Sequence, residues 1–241
     1  RSANMNDIVD GSEFDKKDWS SKWGAYDDVF MERFSEDLSK EKTKPFFKIA
    51  LTLTSHEPYE IKGEYKFGKD SEDNKFRSSH FYTDKVIGKF IDDAKKQDWY
   101  KNTLIVIMAD HGHSSPKHEG PYFSTKKFRI PMLWLGGALT TKGIKNDIIS
   151  SQVDFPFTLL NLLKGDNSEF VFSKNLFNDS DDQFAHYTFN KGFGTLNKNG
   201  FFLYDYISKK AILKSGKDTQ KLDSLGKAIT QNSYQDFLER K

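Results

Sequence analysis

The chain has 241 residues, 36% of them hydrophobic, which suits one globular domain, alone or with a small appendage. Its 37 basic and 35 acidic side chains nearly cancel, and the net charge of +2 argues against a nucleic-acid-binding surface. Cysteine is absent, which excludes disulfides, thiolate zinc sites and a cysteine nucleophile within these residues.

No apolar run approaches the ~20 residues that span a bilayer, so the sequence predicts no membrane segment in this chain. The chain starts at Arg1, its first methionine is Met5, and no charged and apolar leader precedes them. We therefore expect a fragment or a processed product.

The first half of the chain predicts two helices separated by a strand. Asp27 and Asp28 favour a helix start, and that helix is expected to end near Lys42. The apolar run 46–54 predicts a buried strand leading into Ser55-His56-Glu57-Pro58-Tyr59. The second helix is expected to be capped by Ser78 or Ser79 and to end at Lys95 and Lys96.

The middle of the chain predicts two more strands and a short helix. Residues 103–109 form the clearest apolar run and end in Asp110-His111-Gly112-His113, residues 130–135 form another, and 155–163 predict a helix. Strands that alternate with helices predict an α/β fold, with a parallel sheet and helices on both of its faces.

From Asp182 onward the pattern changes to alternating aromatic residues with glycine and asparagine turns. We expect strands at 184–189, 201–207 and 210–213 in a small antiparallel sheet, with a turn around 197–200 and one or two terminal helices over 218–238. The expected division is 1–181 for the main α/β part and 182–241 for the sheet and terminal helices of the same domain.

Two predicted strands end in histidine motifs, and the carboxyl ends of parallel strands meet at one edge of a sheet. His56, Asp110 and His111 are therefore expected at the same edge. A carboxylate beside an imidazole suits zinc, manganese or a related divalent ion, although two ligands are too few for a complete site. The alternative is a strand-end turn whose polar side chains cap backbone groups.

The other polar and aromatic candidates carry weaker predictions. His80 and His186 are expected to be structural or surface residues. For His113 and His118 the two alternatives are contact with the substrate and exposure to solvent, and we expect exposure to solvent. Trp19 and Trp23 either line a cleft or pack in the interior. The sequence has neither a phosphate-binding glycine loop nor a Gly-x-Ser-x-Gly nucleophile elbow.

Several segments together resemble one family. Ala109-Asp110-His111-Gly112 resembles the metal-binding Asp-His of the alkaline phosphatase superfamily, and Ile130-Pro131-Met132-Leu133-Trp134 resembles the strand that follows it. The segment 152–160 is similar to a sulfatase helix, except that Pro156 comes one position early. Leu53 to Tyr59 and Lys22-Trp23-Gly24 are similar to sulfatase-like phosphoglycerol transferases related to lipoteichoic acid synthase.

The resemblance implies an alkaline-phosphatase-like fold and a phosphoryl-transfer site with one divalent ion, usually manganese, with zinc, magnesium or calcium as alternatives. Asp110 and His111 match metal ligands, and His56 matches the substrate-binding histidine. The family's threonine nucleophile and remaining metal carboxylate precede this region, so no catalytic nucleophile is expected within the chain.

The implied substrates are phosphodiesters such as glycerol phosphate head groups, which are lipid-linked in the synthases. The implied chemistry is in-line attack by that threonine on the phosphodiester, which forms a covalent phosphoenzyme. A glycerol hydroxyl or water then takes the phosphoryl group. In the family, N-terminal membrane helices anchor an extracytoplasmic catalytic domain.

Three alternatives remain open at this stage. A sulfatase would carry an upstream formylglycine, and a phosphoethanolamine transferase fits less well because those domains usually contain cysteines. A non-catalytic domain that binds glycan or lipid head groups is the third. Thr54 and Ser55 are the nearest hydroxyls to His56, but neither has an evident base beside it.

Overall fold

The computed structural model describes residues 5, 7–116, 120–178 and 183–240. It divides into two compact units, residues 1–120 with 130–142, and residues 121–129 with 143–241. The boundary expected after residue 181 falls inside the second unit, and Asp182 lies outside the described residues. That boundary stays a prediction.

The described residues form four α-helices and eight strands, with four short 3₁₀ turns. The α-helices are α1 (Asp27–Lys40), α2 (Glu72–Ala94), α3 (Asp154–Leu162) and α4 (Thr219–Glu239). The strands are β1 (Trp19–Ser21), β2 (Gly24–Ala25), β3 (Ile105–Met108), β4 (Met132–Leu135), β5 (Phe184–Phe189), β6 (Gly192–Asn197), β7 (Gly200–Asp205) and β8 (Lys210–Gly216). The 3₁₀ turns are Gly11–Glu13, Lys16–Asp18, Asp98–Asn102 and Thr125–Phe128. No helix in the described part of the chain is long and apolar enough to cross a membrane.

The two helices of the first unit were both predicted, but the start of the second was placed too late. α1 begins at Asp27 as expected. α2 begins at Glu72, because the Ser71 hydroxyl accepts a hydrogen bond from the Asn74 amide and caps the helix. Ser78 and Ser79 lie fully buried inside the helix, so the predicted cap is wrong.

The run 46–54 forms no strand, and no strand in the described residues pairs with it, so the predicted buried strand is wrong. Alternate apolar side chains are exposed, with Phe47, Ile49 and Leu51 at 68%, 66% and 62%. At the end of the run, the Leu53 and Thr54 amides donate to the Asp27 carboxylate instead of a neighbouring strand. The Asp27 carboxylate thus accepts the backbone hydrogen bonds that a neighbouring strand would otherwise accept.

β3 pairs with β4 in antiparallel register, from Ile105 opposite Leu135 to Met108 opposite Met132. The expectation of parallel pairing is wrong for these strands, and every strand pair among the described residues is antiparallel. The physical reason is that no α-helix is described between β3 and β4, so the chain makes no right-handed crossover there and returns beside the strand that it left.

The second unit contains the predicted antiparallel sheet, in the order β5-β6-β7-β8. Phe193, Phe202 and Leu222 form its core, and Leu222 belongs to α4, which packs on β6 and β7. Gly226 lets this helix approach closely, since a side chain there would collide with Phe193 and Thr195. The sheet and a terminal helix are confirmed, while β6 was not predicted.

α3 starts at a buried acid that fixes a neighbouring segment. The Asp154 carboxylate is fully buried and accepts hydrogen bonds from the Ser151 amide and the Lys174 amide, each at 2.8 Å. The Lys174 ammonium lies 2.9 and 3.0 Å from its two oxygens. Asp154 is therefore a structural anchor for residues 151 and 174.

His186 on β5 makes this unit sensitive to acid. Burial lowers the pKa of His186 to about 4 from its ordinary 6.5. Because the folded state disfavours protonation of His186, the contribution of the neutral ring to the free energy of unfolding is fully present above about pH 6.5. That contribution is lost as the pH falls toward 4.

We expect wild type to lose about 2 kcal/mol more unfolding free energy between pH 7.5 and pH 5 than His186→Gln, measured by urea unfolding. The matched control is His111→Gln, which removes a side chain that is 68% exposed. Equal pH dependence in wild type and His186→Gln would rule out this role for His186.

Candidate metal and phosphate site

Asp110 and His111 follow β3, as predicted, and both side chains are about two-thirds exposed. The Nδ1 atom of His111 lies 2.8 Å from the Gly112 carbonyl oxygen. Because a carbonyl oxygen only accepts, Nδ1 carries the proton, and the neutral ring keeps a lone pair on Nε2. That nitrogen lies 3.5 Å from Oδ2 of Asp110.

This separation suits a shared cation. Two ligands held ~2.1 Å from one tetrahedral ion lie about 3.4 Å apart. A backbone carbonyl that fixes the other ring nitrogen is a common support for a metal-binding histidine. Within the described residues, no three His, Asp or Glu side chains form a group able to hold an ion. The chain therefore presents a pair that fits a divalent metal but does not complete its coordination.

The loop that carries His56 is held by α1. Asp27, the first residue of that helix, is fully buried and accepts hydrogen bonds from the Leu53 and Thr54 amides at 2.7 and 3.0 Å and from the Thr83 hydroxyl at 2.6 Å. In return, the Thr54 hydroxyl accepts from the Asp27 amide at 2.8 Å. This exchange ties three segments together immediately before His56.

His56 has the same donor pattern as His111. Its Nδ1 lies 3.0 Å from the Glu57 carbonyl oxygen, which leaves the Nε2 lone pair available when the ring is neutral. The ring centroid lies 5.0 Å from that of Trp23, whose side chain is half exposed. A histidine beside an exposed indole suits contact with a bound substrate.

Glu57 links the two predicted motifs. Its carboxylate lies 3.3 Å from Nδ1 of His56 and 3.2 Å from Nε2 of His113, and it accepts a hydrogen bond from the Tyr59 hydroxyl at 3.0 Å. The hydrogen bond from its own amide, together with those from Tyr59 and His113, lowers the pKa of Glu57. The loop after residues 46–54 and the loop after β3 therefore meet through this carboxylate.

His113 was expected in solvent, and the structure contradicts this. Its side chain is 29% exposed, and its ring stacks on Phe76 with centroids 4.9 Å apart. The Ser115 amide donates to Nδ1, so the proton sits on Nε2 and points to Glu57. With Nδ1 occupied by that amide, His113 positions Glu57 and is not arranged as a metal ligand.

The remaining candidates take structural places. The His80 ring lies tilted against the Phe76 ring with centroids 3.9 Å apart, its Nδ1 lies 2.8 Å from the Phe76 carbonyl oxygen, and burial lowers the pKa of His80. His186 on β5 also has a structural place, beside Thr195 on β6. Thr54 is buried with its hydroxyl engaged by Asp27, which removes it as a nucleophile. Trp19 is partly buried, with its indole N–H donating to the Phe14 carbonyl. His118 lies outside the described residues.

Sequence reasoning missed three contributors to this site. Glu57 and Tyr59 entered only as part of a resembling segment, and His113 was set aside because its loop is polar. The signal available was the spacing of His56, Glu57 and Tyr59 within one tight turn, where the His56 amide donates to Leu53 and the Tyr59 amide to His56.

The exposed Asp110-His111 pair follows β3, and the loop that carries it meets the loop of His56 through the Glu57 carboxylate. The profile of the sulfatase family matches residues 2–165, more than half of the chain. The chain belongs to the sulfatase family, within the alkaline phosphatase superfamily.

Curated relatives are lipoteichoic acid synthases and similar proteins. The chain is 27% identical over 226 residues to the lipoteichoic acid synthase-like YvgJ of Bacillus subtilis, covering 85% of this chain and 34% of that protein. It is 25% identical over 206 residues to the lipoteichoic acid synthase of Staphylococcus aureus, covering 78% of this chain and 30% of that one. The chain thus spans about a third of the length of these relatives.

Solved structures agree on the fold. A protein of the alkaline phosphatase superfamily from Vibrio parahaemolyticus superposes with a TM-score of 0.76 at 25% identity, covering 96% of this chain and 60% of that one. The lipoteichoic acid synthase LtaP of Listeria monocytogenes gives 0.74 at 17% identity, covering 99% and 65%. The predicted alkaline-phosphatase-like α/β fold is confirmed.

Proposed function

We propose that this chain is the C-terminal part of the catalytic domain of a metal-dependent phosphoryl transferase that acts on phosphodiesters such as glycerol phosphate head groups. The observation that carries the proposal is the 3.5 Å separation between Nε2 of His111 and Oδ2 of Asp110 at the end of β3. Similarity to lipoteichoic acid synthases over most of the chain favours phosphoryl transfer over sulfate ester hydrolysis.

Asp110 and His111 would hold a divalent cation, and manganese is the ion that we propose. When bound, such an ion neutralises charge on the phosphoryl oxygens and lowers the pKa of an attacking hydroxyl. Asp110 contributes negative charge to the site. The Gly112 carbonyl keeps the His111 lone pair on Nε2.

His56 acts on the substrate side of the site. With Nδ1 directed at the Glu57 carbonyl, the Nε2 lone pair is available to accept a hydrogen bond from a hydroxyl of the substrate. The Trp23 ring lies beside this histidine, with the two ring centroids 5.0 Å apart. We place the nucleophile, a threonine, in sequence that precedes Arg1, together with the remaining metal carboxylate.

The proposal extends to localisation and substrate source. An extracytoplasmic domain held at a membrane by upstream helices, with lipid-linked substrates, suits the lipoteichoic acid synthases to which the chain is similar.

The test compares the 241-residue chain with a protein extended upstream to the length of its curated relatives. With manganese, we expect the extended protein to cleave a glycerol phosphodiester, and the shorter chain to be silent because it lacks the nucleophile. An aryl sulfate serves as the second substrate. Turnover of the sulfate alone would show that the extended protein is a sulfatase. Turnover by the 241-residue chain would contradict the proposal that the nucleophile lies upstream of it.

A further inference from the structure

Two turns lie side by side at one end of the four-stranded sheet in the second unit. One turn joins β5 to β6 at residues 190 and 191, and the other joins β7 to β8 at residues 206–209. The Tyr206 amide donates a hydrogen bond to the Lys191 carbonyl at 2.7 Å, which fixes the second turn against the first. Residues 190–191 and 206–210 therefore form one surface, which we call the sheet tip.

The sheet tip exposes apolar and aromatic side chains. Ile207 is 71% exposed and Tyr206 is 40% exposed. Tyr122 is 55% exposed and lies at the same end, because its ring centroid is 5.9 Å from that of Phe189, the last residue of β5. One exposed isoleucine is ordinary on a protein surface, but an isoleucine and two tyrosines concentrate apolar surface at this end. The turn at the opposite end, residues 198–199, has only polar side chains.

Lysines flank these residues in the sequence. Lys191, Lys209 and Lys210 are exposed, and neither Lys209 nor Lys210 forms an ion pair within the described residues. The only acid in the sheet tip or next to it in sequence is Asp205, whose carboxylate accepts a hydrogen bond from the Ser208 amide at 2.6 Å. Three ammonium groups against one carboxylate leave this surface with an excess of positive charge.

We propose that the sheet tip binds the surface of a membrane that contains anionic lipids. The Ile207 side chain enters the apolar layer, and Tyr206 lies at the boundary with the head groups, where tyrosine is favoured. The lysines are attracted to the negative head groups. A lipid surface spreads its charge over many head groups, so the lysines act by facing one surface and need not converge on a single anion.

The apolar side chains favour a membrane over a soluble polyanion. A polyanion pairs with the lysines but offers no apolar phase to the Ile207 side chain. The inference also stands apart from catalysis, because the sheet tip belongs to the second unit and Asp110 and His111 belong to the first. Vesicle binding and phosphodiester turnover are therefore measured separately.

The first experiment sediments the 241-residue chain with vesicles of phosphatidylcholine, with and without phosphatidylglycerol. We expect binding to the anionic vesicles only, decreasing as salt is added. Lys209→Gln/Lys210→Gln should weaken partitioning at least about tenfold, since two charges near the surface are lost. Lys214→Gln/Lys217→Gln is the matched control, because it removes the same charge from the far end of β8. It should change partitioning by no more than about twofold.

The second experiment measures insertion of the turn between β7 and β8. The chain has no cysteine, so Ile207→Cys carries a single environment-sensitive fluorophore. We expect its emission to rise and to shift to shorter wavelength with anionic vesicles, and the same label at Lys217→Cys to show no change. Ile207→Ser should weaken partitioning at least about threefold, because a side chain that enters the apolar layer is lost.

Three results would each overturn the inference: equal binding to vesicles without phosphatidylglycerol, equal losses in the two double variants, or unchanged emission at position 207. Titration with inorganic polyphosphate tests the alternative occupant. Binding of polyphosphate as tight as that of vesicles, together with wild-type partitioning of Ile207→Ser, would identify a polyanion surface instead of a membrane surface.

Discussion

Asp110→Asn in the protein extended upstream is expected to lower manganese-dependent phosphodiester turnover by at least about 10³-fold. The substitution removes the carboxylate charge that lies 3.5 Å from the His111 lone pair and leaves the backbone of β3 unchanged. A metal ion supplies several kcal/mol of transition-state stabilisation, and each 1.36 kcal/mol is tenfold in rate. The measurement is initial rate against a glycerol phosphodiester at saturating manganese.

Asp98→Asn is the matched control for this experiment. Asp98 begins a 3₁₀ turn near β3, and its side chain is fully exposed. Its amide variant should retain wild-type turnover. Full activity in Asp110→Asn would show that Asp110 is not a metal ligand. An equal loss of activity in Asp98→Asn would point to a general effect of charge.

The largest loss of stability is expected from Asp27→Ala. The substitution leaves the Leu53 and Thr54 amides and the Thr83 hydroxyl without their acceptor in a fully buried place. Each unsatisfied buried donor costs about 1–3 kcal/mol, and partial relaxation makes a total of about 3–4 kcal/mol reasonable. Urea unfolding at neutral pH measures the change.

The neighbouring acid provides the comparison. Asp28 is 43% exposed and pairs with Lys62 at the surface, so Asp28→Asn should cost less than about 1 kcal/mol. Since Asp27 holds the residues before His56, its variant should also weaken activity of the extended protein beyond what unfolding explains. Equal stability of the two variants would contradict the role of Asp27 as an anchor.

An element is predicted correctly from the sequence where its local pattern agrees with its environment in the folded chain. The apolar run before Asp110 is a strand, and Asp27 begins a helix, because burial and charge at these positions act locally. The start of α2 was misplaced because residues 68–75 look like polar linker, yet Ser71 caps a helix whose first turn is acidic. Composition alone does not distinguish those two states.

Long-range contacts explain the other errors. β6 contains Gly192 and Gly194, which lower its strand propensity, but a side chain at Gly194 would collide with the Tyr187 ring on β5. The direction of β4 depends on the path from 109 to 131, which carries no periodic pattern. His113 contacts Phe76 on α2 and Glu57, and no spacing along the chain predicts either contact.

Metal content is the most direct test of the proposed site. The protein extended upstream, loaded with manganese and desalted, should retain about one ion per chain by elemental analysis, and Asp110→Asn and His111→Gln should retain little. Changes to groups that hydrogen-bond a metal ligand cost about 10–100-fold in metal affinity, and losing the ligand itself should cost at least as much. Equal manganese in wild type and both variants would contradict the assignment of Asp110 and His111 as ligands.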